Sequence, residues 1–170
     1  MARVYVSIGS NIDRERHVCA ALDALNEAGQ NLQVSSVYES EAVGFDGAPF
    51  YNLVAGFDTD WPLATLNCWL KQVEDRNGRD RSHPKFSART LDIDVLLYDD
   101  LVGECDGIQL PRPEITENAF VLRPLAEIAP SLKHPLLDQD FRSLWQSYQR
   151  HQKLWPVDFD WAGRRISHSE

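Results

Sequence analysis

Hydrophobic and polar positions alternate with a period of two in "RVYVSIG", where Val4, Val6 and Ile8 point one way and Tyr5 and Ser7 the other. This is the pattern of a strand that ends at Gly9. Between Asp13 and Gly29 the period lengthens. Val18, Ala21, Leu22 and Leu25 recur at helical spacing, and Gly29 suits a C-terminal cap. "LQVSSVYESEAVG" and "FYNLVAGFDTD" return to strand patterning, joined by the turn-forming "FDGAP". A second helix is expected after Asp60, which can cap it. Pro62 suits its first turn, Leu63, Leu66, Leu70 and Val73 form its buried stripe, and Gly78 follows its end. A polar segment from Arg79 to Ala88 leads into the strand-like "ARTLDIDVLLYDD". After a loop-rich stretch come a short helix near Glu117 to Ile128 and an amphipathic piece around Phe141 to Gln152.

Strand, helix, strand, strand, helix, strand is the order of a ferredoxin-like α/β sandwich. The expected class is therefore α+β: a largely antiparallel sheet with helices covering one face. At 170 residues with 43% hydrophobic content, the chain can build one sizeable core. We expect a single domain over residues 1–154. In the tail, 155–170, an aromatic start packs on the body and a polar end frays. There is no internal repeat.

Charge narrows the function classes. A net charge of -9 and a pI near 5.0 oppose any general affinity for nucleic acid or an anionic membrane, both of which need a cationic field. Three widely spaced cysteines, Cys19, Cys68 and Cys105, form neither a disulfide framework nor a zinc pattern. They read as core thiols in a reducing compartment. With no apolar stretch near the N-terminus long enough for a signal peptide or membrane helix, a cytoplasmic location is expected.

The chemistry gathers around Asp92 and Asp94. Two residues apart on a strand, they share a face, with about 6 to 7 Å between their Cα atoms. Adjacent carboxylates repel, so the pair needs water, basic partners or a metal ion. In this acidic chain Arg76, Arg79, Arg81, Lys85 and Arg89, with His83 among them, fall just before that strand. Such a loop is either a solvated cationic surface or a phosphate site. Beside two carboxylates, it suits a magnesium-bound nucleoside triphosphate. Glu74 stands in the last turn of the second helix, where the dipole disfavours an acid; it reads as a surface salt bridge to Arg76 or Arg79, or as part of the site. Asn52 has poor strand propensity, so its amide is either satisfied structurally or reads the edge of a heterocycle. Phe50, on the same face, could stack on that ring or belong to the core.

In order and spacing, "VSIGSN", "VSSVYESEAVG", "FYNLVAGF", "QVEDRNGRDR", "ARTLDIDVLLYDD" and "ENAFVLRPLAEIAP" resemble hydroxymethyl-dihydropterin pyrophosphokinase, the folate-pathway kinase. The likeness spans about residues 3 to 135. It implies a ferredoxin-like fold and transfer of pyrophosphate from ATP to 6-hydroxymethyl-7,8-dihydropterin, releasing AMP. It also implies two Mg2+ ions on Asp92 and Asp94, with Arg79 and Arg89 catalytic beside them. Ser40, Glu41, Val43, Phe50, Asn52 and Phe120 match pterin-binding positions. Glu74, Arg81, Phe86 and Arg112 match the nucleotide side. By the same resemblance, "VGFDGAP" and "DRSHPKFSA" are candidates for loops that close over the substrates. The partners implied are ATP and the pterin, with no nucleic acid and no membrane, on a monomer.

Three positions depart from the family pattern. "LPRPEI" puts Arg112 where a phosphate-contacting histidine is expected, and "ITENAF" has Asn118 where an arginine is usual. Phe86 replaces a tryptophan, keeping an aromatic ring without its indole N–H. All three lie on the nucleotide side, so altered ATP handling is expected. Two other readings stay open: a non-catalytic paralogue that binds a pterin or nucleotide, and a metal-dependent nuclease or nucleic-acid binder, which the overall charge opposes.

Overall fold

The computed structural model of the chain describes residues 1–41, 47–78 and 90–170. β1 (Ala2–Ser10) is followed by α1 (Arg14–Ala28), β2 (Gln30–Val34), β3 (Val37–Ser40), β4 (Phe50–Thr59), α2 (Leu63–Arg76) and β5 (Asp92–Tyr98). A hairpin of β6 (Gly103–Cys105) and β7 (Ile108–Leu110) leads to α3 (Glu114–Glu117), α4 (Ala119–Ile128) and α5 (Phe141–Gln146). The chain closes with β8 (Leu154–Val157), β9 (Phe159–Trp161) and β10 (Arg164–Ser167). The main sheet has the order β5-β1-β4-β3-β8, with β2 also on β4, and its pairings are antiparallel. This is the ferredoxin-like order expected from the sequence, with β8 added at one edge.

Helices cover both faces of the sheet, not one. On the first face Val6 and Ile8 of β1, Leu53 and Phe57 of β4, and Ile93 and Val95 of β5 pack against Leu22 and Leu25 of α1 and Leu66 and Leu70 of α2. On the second, Tyr5, Val54 and Leu96 meet Leu122 and Leu125 of α4, with Ile115 from α3 and Phe141 from α5. The reason lies in β4, where consecutive Leu53, Val54 and Ala55 are all buried. A strand apolar on both faces requires cover on both, and each such side chain removed from water stabilises the fold by about 1.5–3 kcal/mol.

Local details revise several expectations. α1 does end at Gly29, whose N–H donates to the Leu25 carbonyl at 2.8 Å. Yet its backbone is not left-handed; a Cβ there would come within 2.8 Å of the Phe57 ring, so close packing is what calls for glycine. Asp60 does not cap α2; its N-cap is Pro62, with no side-chain capping bond, and Asp60 lies 3.9 Å from the N-terminal amine. The strand expected through Leu32 to Gly44 is two strands, bent where Ser35 Oγ accepts the Val54 N–H at 2.9 Å. The helix expected near Glu117 to Ile128 is α3 and α4, with Asn118 extended between them. Cys68 is exposed and Cys19 and Cys105 are half-buried, so none is a fully buried core thiol.

The tail is built into the fold as far as Ser167. β8 lies beside β3, Phe159 and Trp161 join the first core, and Trp161 Nε1 donates to Asp23 at 2.9 Å. Ser167 is buried, its Oγ accepting the Val37 N–H at 2.9 Å. Arg123 of α4 reaches the last residue, Glu170, at 2.9 Å. Among the described residues no helix is long and apolar enough to cross a membrane.

Candidate active site

Register across β3, β4, β1 and β5 builds the site. Tyr38 pairs with Asn52, Asn52 with Gly9, and Gly9 with Asp92; one row over, Val54 pairs with Ser7 and Ser7 with Asp94. Directly paired residues share a face, and Ser40 pairs with Phe50 on the same side. Ser40, Phe50, Asn52, Asp92 and Asp94 therefore all stand on the second face. Leu91, Ile93 and Val95, fully buried on the first face, keep the aspartates turned outward. Ser10 helps to place them, its Oγ donating to the Thr90 carbonyl at 2.6 Å just before the strand.

At the neutral end, Asn52 and Ser40 are both buried, and Asn52 Nδ2 donates to Ser40 Oγ at 2.7 Å. Between Asn52 and Asp92 stands Gly9. A Cβ on it would lie 3.5 Å from Asn52 Oδ1 and 3.8 Å from the Phe50 ring. Gly9 thus puts no side chain between the strands that flank β1, which are about 10 Å apart at ordinary strand spacing. The sequence reading took Gly9 only as the end of a strand; its position within an otherwise apolar strand was the available signal of close approach.

At the acidic end, Asp94 lies between two cations. Lys71 Nζ is 3.7 Å and Arg112 Nη2 3.8 Å from the same oxygen, Oδ1. Burial, and after it the Asp92 carboxylate, pushes the Asp94 carboxyl above its ordinary range, with Arg112 and Lys71 opposing. Arg112 is fixed along β5 by its own N–H to the Leu96 carbonyl at 3.0 Å and by Nε to the Val95 carbonyl at 2.9 Å. Its guanidinium also lies 3.6 Å from Glu114. Lys71, which the sequence reading did not single out, sits one helical turn before Glu74.

Glu74 is fully buried, not a surface acid. Its Oε2 accepts the Ile93 N–H at 2.6 Å, and Oε1 is 3.6 Å from Lys71 Nζ. It thus satisfies a backbone donor on the outer edge of β5, explaining an acid in the last turn of α2. The donor set around Asp92 and Asp94 consists of carboxylate oxygens on one face, without a third His, Cys, Asp or Glu forming a cluster among the described residues. Two carboxylates completed by phosphate oxygens and water suit magnesium, whereas zinc takes a closed set of nitrogen and sulfur ligands.

Phe120, half-buried, stands in the first turn of α4 and packs against the second core, on the same side of the sheet as Asn52. Glu41 is exposed. Val43, Arg79, Arg81, Phe86 and Arg89 lie outside the described residues, as do His83 and Lys85. Of the described candidates, Ser40, Phe50, Asn52, Asp92 and Asp94 share one face with Phe120 of α4, whereas Glu74 reaches the edge of β5 from α2, which packs on the other.

The family model for 7,8-dihydro-6-hydroxymethylpterin-pyrophosphokinase (HPPK) matches residues 5–130. A 2-amino-4-hydroxy-6-hydroxymethyldihydropteridine pyrophosphokinase of Aquifex aeolicus is 36% identical over 138 residues, covering 80% of this chain and 86% of the relative. A protein of the same name from Pseudomonas aeruginosa is 38% identical over 138 residues, covering 78% and 84%. The folic acid synthesis protein fol1 of Pneumocystis carinii is 30% identical over 98% of this chain, which spans 23% of that protein. Among solved structures, HPPK-DHPS of Plasmodium falciparum, crystallised with pterin and p-hydroxybenzoate, superposes with a TM-score of 0.66 at 14% identity. That match covers 86% of this chain and 43% of the Plasmodium chain, so this chain spans less than half of it and the likeness concerns fold. The chain belongs to the 7,8-dihydro-6-hydroxymethylpterin-pyrophosphokinase family.

Proposed function

We infer that the chain is an ATP-dependent pyrophosphokinase of folate biosynthesis, transferring pyrophosphate from ATP to 6-hydroxymethyl-7,8-dihydropterin and releasing AMP. The observation that carries this reading at the level of the site is the register Asn52–Gly9–Asp92. Asn52, Gly9 and Asp92 stand in one line with Asp94 one row over, and this arrangement supports the reading.

In this reading the pterin ring lies over Gly9. Asn52 offers both an acceptor and donors to the ring's polar edge, having Ser40 as its partner within the fold. Phe50 and Phe120 flank the ring, with Glu41 and Val43 beside it. The hydroxymethyl arm then points toward Asp92 and Asp94. Its hydroxyl oxygen attacks the β-phosphorus of ATP as the bond from that phosphorus to the α,β-bridging oxygen breaks. AMP leaves with the electron pair, and the hydroxyl proton passes to solvent. No side chain becomes covalently attached.

Two Mg2+ ions bound by Asp92 and Asp94 would neutralise charge on the phosphate oxygens. Arg112 adds a fixed cation beside them, pairing with phosphate as guanidinium does. Arg79, Arg81 and Arg89 supply further cations, and Phe86 an aromatic neighbour, from positions named by family resemblance. Glu74 supports this end by holding β5, since its carboxylate is committed to the Ile93 N–H. A lack of affinity for nucleic acid fits the charge of -9, and we propose a cytoplasmic monomer.

The test is AMP release by the purified protein with ATP, magnesium and the reduced pterin, beside Asp94→Asn. Turnover that requires all three components and is lost in the variant supports the kinase. Pterin binding without AMP release would instead favour a binding paralogue.

A further inference from the structure

Residues 148–152 lie beyond the stretch matched by the family model, yet they touch the helix junction that carries Asn118 and Phe120. Gln152 Oε1 accepts the Ala119 N–H at 2.8 Å, while Gln152 Nε2 donates to the Glu117 carbonyl at 3.2 Å. The Tyr148 hydroxyl donates to the same carbonyl at 2.7 Å, and Arg150 approaches it at 3.4 Å. A single amide side chain thus bridges the last carbonyl of α3 and the first N–H of α4.

These are the groups that helix ends leave without intrahelical partners. Asn118, the N-cap of α4, makes no capping bond with its own side chain, and its backbone is extended between the two helices. α3 has only four residues and α4 contains Pro124, so local propensity does little to fix the angle between them. The segment that spans the junction is itself anchored. Tyr148 stacks on Trp145 with ring centroids 5.5 Å apart, and both rings pack against the second core.

We propose that Gln152, backed by Tyr148, is a positioning residue for the pterin end of the site: it sets the α3–α4 junction and so the direction from which Phe120 enters. The inference rests on the pterin reading above. It makes a segment outside the family match part of substrate recognition, without its touching the substrate.

The test compares Gln152→Met, which keeps side-chain length and loses both bonds, with Gln152→Glu, which keeps the acceptor for Ala119. In Gln152→Met the pterin dissociation constant and KM should each rise about five- to tenfold, as expected for a lost hydrogen bond of ordinary strength. KM for ATP and kcat should stay within about twofold, and Gln152→Glu should recover most of the loss. Amide exchange at Ala119 and Phe120, measured without ligand, should speed up in Gln152→Met alone. Unchanged pterin affinity, equal loss toward both substrates, or no recovery in Gln152→Glu would overturn the proposal. Wild-type protein that binds no pterin would overturn the functional reading and this inference with it. The exchange measurement would then still report the brace, separating that failure from a brace that does not exist.

Discussion

At one end of the site Asn52 donates to Ser40 and both side chains are buried; at the other, Asp92 and Asp94 stand side by side, with burial holding the Asp94 carboxyl above its usual range. The two ends lie on the same face, joined through Gly9. A neutral amide can be satisfied inside the fold and still present its remaining valences, so the Asn52 end is organised by the fold itself. Paired carboxylates cannot be settled so cheaply. Lys71 and Arg112 both address one oxygen of Asp94, so at this end the fold sets cations against the carboxylates. Shape is built into the first end and charge into the second.

The sharpest way to break this comparison is Asp94→Asn. AMP release should fall by about 10²–10³-fold or more, the scale of removing a principal charge-stabilising group. The melting temperature in magnesium-free buffer should not drop, because the substitution removes a like charge from beside Asp92. A variant that keeps turnover within about tenfold of wild type would mean that Asp94 does not hold a metal ion the reacting phosphates need.

Next in size is Gly9→Val, which tests shape in place of charge. Valine suits the strand backbone, and the space above Gly9 admits a Cβ at 3.5 Å from Asn52 Oδ1, so the fold should survive. Its side chain would occupy the surface over Gly9, and if the pterin lies there its affinity should fall by about 10²-fold while ATP affinity holds. Equal loss toward both ligands would show that the two ends are not separable.

Arg112→Met should reverse that pattern. We expect KM for ATP to rise about tenfold, with the pterin dissociation constant unchanged. Arg112→Lys, retaining charge without the bond to the Val95 carbonyl, should fall between the two. Isothermal binding of each ligand to each variant distinguishes the outcomes.

The smallest effect is a control remote from both ends. His134 is buried, its Nδ1 accepting the Leu136 and Leu137 N–H groups at 3.2 Å, and burial holds its pKa below the usual 6.5. A depressed folded-state pKa means that the unfolded chain binds the proton more readily. Its stability contribution is therefore fully present above about 6.5 and declines as pH falls below that value toward the folded pKa. Denaturant midpoints between pH 7 and 5 should show this loss in wild type and not in His134→Ala. Identical slopes would remove the assignment.

Much of the frame could be read in the chain. Val18, Ala21, Leu22 and Leu25 are the buried stripe of α1, and Leu63, Leu66, Leu70 and Val73 that of α2, because helical periodicity is a local property. Asp92 and Asp94 share a face because alternation along a strand is equally local. The two pieces read less well, α3–α4 and the C-terminal strands, lack a long period: α3 has four residues, and β9 has three. Short elements of this kind exist because of what they pack on. Glu74 shows the same limit from another side. Its place in a helix's last turn suggested a surface salt bridge, and it is the Ile93 N–H on the edge of β5 beside α2 that makes burial of its carboxylate favourable.

The sequence by itself determined the order of the elements, the faces of α1 and α2, the orientation of the aspartate pair and, through its motifs, the family. Tertiary structure alone decided that Gly9 stands between Asn52 and Asp92, that α4 covers the face bearing the site, and that Gln152 joins two helices more than 30 residues before it. The physical reason is range: side-chain periodicity needs only a residue and its near neighbours, whereas register, edge capping and helix bracing depend on hydrogen bonds between segments far apart in the chain.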